Sequence, residues 1–132
     1  IAAALEQANA TAAPTARLDG VEAAYWTSLG DREFLRWVRP EAEDPLLDAL
    51  ARLHAAREDH LVDGARLIGM FRAHGVLVPV WDVPPGTGPE PLAGAVAEFD
   101  RRLAETLADA RPLHAAERAA RSGLTSRQLT IR

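Results

Sequence analysis

"RWVRPEAEDPLLDAL", residues 36–50, and "VWDVPPGTGPEPLAGAV", residues 80–96, decide how this chain is read. In each, a tryptophan stands three residues before a proline: Trp37 before Pro40, Trp81 before Pro84. A polar loop follows, and Pro45-Leu46 or Pro91-Leu92 opens a run with apolar residues at helical spacing. A glycine turn, Gly30-Asp31 or His74-Gly75, comes six or seven residues before each tryptophan. One ββα unit is therefore expected twice, at 21–57 and 65–110. Both tryptophans then occupy the same place in the repeat, where an aromatic packs beneath the helix that follows.

Outward from that pair, Val21 to Leu29 and Phe34 to Val38 alternate as a hairpin. Leu67 to Ala73 and Val76 to Val83 make a second one, with Pro79 expected at a sheet edge or a bulge because it cannot donate a ladder hydrogen bond. Asp44 reads as the N-cap of the first long helix, with Pro45 at its first position and Leu46, Leu47, Leu50, Leu53 and His54 on the inner side. The second, about Pro91 to Ala110, has Leu92, Val96, Phe99, Leu103 and Leu107 as its stripe, and Glu98/Arg102 and Arg101/Glu105 as pairs on the wet side. Shorter helices are expected over Ala2 to Thr11 and His114 to Ser122, the latter stopping at Gly123, and Leu129 and Ile131 alternate as a further strand. The fold class is α+β: an antiparallel sheet of four strands or slightly more, within one domain spanning 1–132, with the helices mainly on one face.

The chemistry on offer is sparse. There is no cysteine, so disulfides and thiolate chemistry are excluded. No serine lies in a nucleophile-elbow pattern. His74 and Asp82 are the best acid-base pair by type, but a hairpin puts them at opposite ends of its strands, roughly 20 Å apart. His54 and His60 are not at metal spacing for a helix. "PPGTGPEP" lacks a lysine and reads as a stiff loop into a helix, not a phosphate cradle. No catalytic residue, cofactor site or metal site is assigned.

All fifteen basic residues are arginine. Residues 1–110 carry ten of them against eighteen acids, whereas Arg111, Arg118, Arg121, Arg127 and Arg132 face Glu117 alone. That basic end is open to nucleic acid or an acidic partner, but a net charge of −4 favours pairing within the domain. No apolar run reaches membrane-spanning length, "IAAALEQANA" does not read as a signal peptide, and a cytoplasmic location is expected. The absent initiating methionine suggests a piece of a longer protein.

With helices gathered on one face, the other face of the sheet needs cover or must be polar, and Arg36, Arg39, Arg66 and Arg72 are candidates for its polar fraction. A tryptophan there would make it a binding platform. The candidate interaction surface is therefore Trp26, Trp37, Arg36, Arg72, His74 and Trp81.

"AAYWTSLGDREFLRWVRP", "LLDALARLHAA", "FRAHGVLVPVWDVPPGT" and "GLTSRQLTIR" resemble the C-terminal half of a family of uncharacterised actinobacterial proteins, a domain of unknown function. The resemblance implies a preceding portion and a natural end at or near Arg132, and it carries over no active site. The element order is also similar to small secretion-chaperone domains, which bind polypeptides and often dimerise. The leading expectation is a non-enzymatic protein-binding or oligomerisation module, its partner another protein or a second copy. The alternatives are a small-ligand protein or enzyme using a cleft near the Trp81 to Pro91 loop, and weak binding of nucleic acid or an acidic partner by the arginine-rich end.

Overall fold

The computed structural model describes residues 15–131, with backbone alone for 128–131. The expected helix at Ala2 to Thr11, and Arg132, lie outside the described residues. The elements are β1 (Thr15–Arg17), β2 (Ala24–Leu29), β3 (Arg32–Trp37), α1 (Glu43–Ala55), β4 (Arg66–Ala73), β5 (Val76–Val83), α2 (Pro89–Leu107), α3 (Ala115–Ser126) and β6 (Gln128–Ile131). The strands form one sheet in the order β1-β2-β3-β5-β4-β6. The α+β expectation holds, and each hairpin is followed by its helix. The two hairpins join through their second strands, β3 against β5, antiparallel. β1 was not foreseen, and β6 adds in parallel to β4.

Each hairpin turns where glycine admits positive φ. His74 (φ 51) and Gly75 (φ 82) place two left-handed residues in succession, the twist that matches a two-residue hairpin. Successive cross-strand rows then alternate between faces. Trp26, Leu35, Trp81 and Leu67 form one row toward the helices. The core joins these residues to Trp37, Met70, Leu77 and Val83 from the sheet, to Leu46, Leu47, Leu50 and Leu53 of α1, and to Leu92, Val96, Phe99 and Leu103 of α2.

At the centre, Trp37, Trp81 and Phe99 form a triangle of rings with centroids 5.4–6.3 Å apart, the Trp81 and Phe99 rings edge to face. Their polar handles are satisfied in parallel fashion: Trp37 Nε1 donates to Glu22 O at 2.9 Å and Trp81 Nε1 to Asp59 O at 2.6 Å. Each indole thus ties down the segment leading into its own hairpin.

Several local expectations are corrected. Pro79 lies in β5, an interior strand, not at an edge. The β3–β5 register places it opposite Trp37, where the β3 ladder ends, and Arg39 N–H resumes the contact by donating to Leu77 O. The missing proline donor coincides with that gap. A bulge in β4, where Ile68 is the extra residue, lies just beyond. α1 begins at Glu43 with Ala42 as N-cap, so Asp44 lies inside the first turn and Pro45 occupies a position whose N–H has no partner in the helix anyway. α2 begins at Pro89 after Gly88. α3 runs through Gly123 to Ser126, because continuing the helix buries Leu124 completely in the core.

Candidate functional site

The sheet face opposite α1 and α2 is uncovered by any helix among the described residues. Its rows are Thr27, Phe34, Asp82 and Arg66, then Tyr25, Arg36, Val80 and Gly69. Phe71 stands on the same side beside Val78. Among the described residues Leu29 is the large apolar side chain left most open, at 48% exposed. Thr27, Leu29, Phe34, Arg36, Phe71 and Val80 line a shallow apolar depression of about 170 Å³. Arginines edge it: the Arg32 guanidinium lies 4.9 Å from the Phe34 ring centroid and that of Arg36 lies 5.3 Å from Tyr25.

The residues singled out from sequence distribute differently. Trp37 and Trp81 are 1% and 0% exposed, at the core triangle, and present no surface. Trp26 faces the helices, half-buried, its Nε1 donating to Glu33 Oε1 at 2.8 Å. Arg36 is on the open face, as is Arg66. Arg72 points to the helix side, paired with Glu43 of α1. Arg39 is buried there between Glu41 and Asp100, over the Trp37 ring at 4.5 Å. The misplacement has one cause: the alternation of each strand is legible, but which parity faces the helices depends on register. His74 occupies the hairpin tip, exposed. Leu29, Phe34, Phe71 and Val80 were missed; for Leu29, Phe34 and Val80 the signal available was parity within the strand, opposite to that of Trp26, Leu35 and Trp81, whereas Phe71 shares the parity of Leu67 and reaches this face only because the bulge at Ile68 shifts the register.

The loop considered for phosphate binding already holds an anion from within. The Glu33 carboxylate is buried and accepts from the backbone N–H of Gly86 and of Gly88, the latter at 2.8 Å, at the N-terminus of α2. Burial pushes its pKa up, but hydrogen bonds from Gly88, Trp26, Gly86 and Thr87 together outweigh that and hold it below the ordinary range. A shallow groove of about 300 Å³ lies beyond the loop between Ala16–Asp19 and Pro89–Ala93. Asp19 and Glu90 supply its carboxylates.

The described arginines near the end of the chain meet partners within the fold. Arg111 forks onto Glu117 at 2.8 and 2.7 Å, Arg118 donates to Leu113 O, Arg121 reaches Asp44 and Asp48 of α1, and Arg127 Nε donates to Ile68 O. Arg111 contributes most to lowering the Glu117 pKa, to about 2, against the opposing effect of burial. Glu117 also closes a capping box with His114. Arg52, 7% exposed, donates to Arg111 O, while its Nη1 makes no hydrogen bond and lies 3.7 Å from Glu117 and 3.8 Å from Asp109. His54 meets Asp59, not His60, with Nδ1 2.5 Å from Oδ2. No group of three or more His, Cys, Asp or Glu side chains suited to a metal ion occurs among the described residues.

A family model described as "Family of unknown function (DUF5926)" matches residues 1–132. The chain belongs to that family. No curated protein and no solved structure matches this DUF5926 chain. Among its described residues no helix is long and apolar enough to cross a membrane.

Proposed function

We propose that this DUF5926 chain is a protein-interaction module whose sheet face opposite α1 and α2 receives a polypeptide with an apolar centre and an acidic edge. The observation that carries this reading is the depression at Leu29, Phe34, Phe71 and Val80 with Arg32 and Arg36 beside it. An apolar centre with a charged rim is the usual anatomy of a protein interface. Charge chooses the partner: Arg32 is met by Asp82 of the same face at 3.6 Å, whereas Arg36 makes no ion pair among the described residues, and a carboxylate at the partner's edge complements it. A tryptophan platform does not contribute, since none of the three tryptophans lies on this face.

The test is a pair of amphipathic helical peptides of identical leucine pattern, one edged with glutamate and one with lysine, titrated into the full chain and followed by side-chain and amide NMR. The glutamate peptide is expected to shift Leu29, Phe34, Phe71 and Val80, with affinity falling as salt rises. Leu29→Glu is expected to abolish the shifts while leaving the fold intact. Equal response to both peptides, or shifts confined to the helices, would overturn the reading.

A further inference from the structure

A second surface, away from the apolar depression, joins a histidine-aspartate pair to two arginines that make no ion pair among the described residues. β6 pairs only with Met70–Ala73 of β4, so among the described residues β4 has no ladder partner on that side from Arg66 to Gly69. The bulge residue Ile68 lies in this stretch, and bulges recur where a strand edge is shaped for function. A cleft of about 400 Å³ opens there, lined by His54, Asp59, Arg66, Leu67, Ile68 and Arg127.

Three features set its chemistry. Asp59, half-buried, is the one carboxylate in the lining, and it is engaged by His54 Nδ1 at 2.5 Å. With Nδ1–H donating to Asp59, His54 Nε2 accepts the proton of an acidic O–H, or donates once it carries that proton. Arg127 is held by its Nε bond to Ile68 O at 3.0 Å, which leaves both terminal nitrogens for a ligand. Neither Arg127 nor Arg66 makes an ion pair among the described residues, and the one described carboxylate of the lining, Asp59, is engaged by His54. Gly69 permits this arrangement: a side chain there would meet Arg127 O at 3.1 Å and Arg127 Cβ at 3.4 Å.

We infer that this cleft binds a phosphate group, with the guanidinium groups of Arg127 and Arg66 on its oxygens and His54, oriented by Asp59, exchanging a proton with it. Two guanidinium groups approaching from different elements suit a tetrahedral oxyanion. A divalent cation is disfavoured by the same two charges. The site is independent of the sheet-face reading, since its residues other than Arg66 lie outside that face and a different probe reports it.

The full chain is titrated with inorganic phosphate at constant ionic strength, chloride making up the balance, and followed by amide spectra and long-range imidazole nitrogen spectra. Saturable shifts are expected at the His54 ring and the Leu67 and Ile68 amides. Loss of one charge-assisted contact in Arg127→Gln is expected to weaken affinity about tenfold. Arg118→Gln, on a different part of α3, is expected to change nothing. Because Arg127 also ties down β4, His54→Asn serves as a second variant and thermal melting confirms that each is folded. Methyl phosphate in place of the inorganic ion tells a phosphate ester, if it binds at least as well, from the free ion, if it is shut out. Shifts elsewhere only, shifts reproduced by chloride, or affinity indifferent to both Arg127→Gln and His54→Asn would overturn the inference.

Discussion

Glu33 and Glu117 are the two buried carboxylates of the described chain, and each is held ionised by donors that the unfolded chain does not arrange. Glu33→Gln is expected to cost about 2 kcal/mol, because an amide presents an N–H to a site built from N–H donors. Chemical denaturation of the variant checks this. Both carboxylates have folded-state values below those of the unfolded chain, so the stability they contribute is complete above the ordinary carboxylate range and is lost as pH falls through the folded-state values. For Glu117 that loss extends down to about pH 2. Denaturant midpoints across the acid range are expected to fall progressively, with a shallower fall in Glu117→Gln, where one titrating group is gone. Sequence did not disclose either role: a glutamate at a strand start or in a first helical turn is ordinary until the loop or arginine that meets it is in place.

At the scale of elements, the paired tryptophans make the sharpest expectation. Trp37→Phe and Trp81→Phe each remove an indole N–H from a carbonyl, of Glu22 or Asp59, and open space in the ring triangle. Each is expected to cost about 2–3 kcal/mol, read from equilibrium unfolding, and to loosen the segment leading into its own hairpin, read from hydrogen exchange. Gly69→Ala tests the seam between β4 and the α3–β6 junction. The new methyl group would meet backbone at Arg127, so a loss of about 1–2 kcal/mol and early exchange of the β6 amides are expected. The hairpins, their turns and the stripes of α1 and α2 were legible because they follow from local rules: glycine conformations and apolar periodicity. The beginnings and ends of α1, α2 and α3 were not, since Leu124 extends α3 past Gly123 through a contact with residues far away in sequence.

For the whole molecule, the distribution of apolar contact sets the order of opening. α3 contributes only Leu124 to the core and otherwise adheres through ions, Arg121 to Asp44 and Asp48 and Glu117 to Arg111. The Arg121 contacts, on carboxylates open to solvent, are weak and salt-sensitive, whereas Glu117 is buried. Native-state hydrogen exchange is therefore expected to show α3 and β6 opening below the free energy of the hairpins and α2, and the gap to widen with added salt. The open sheet face predicts the opposite behaviour for its own residues: Leu29→Glu is expected to change stability by less than about 0.5 kcal/mol, since that side chain contributes little to the core.

What the sequence by itself determined is the local grammar: two hairpins, two amphipathic helices, two tryptophans in equivalent places, and the absence of cysteine chemistry. Those are properties of periods and turns, which each segment carries alone. Only the tertiary structure decided which parity of each strand met the helices, that Pro79 lies inside the sheet, that Glu33 closes the proline-rich loop, and that His54 and Arg127 share one cleft. These depend on register and on pairings between residues tens of positions apart, where a shift of one residue exchanges the two faces of a strand.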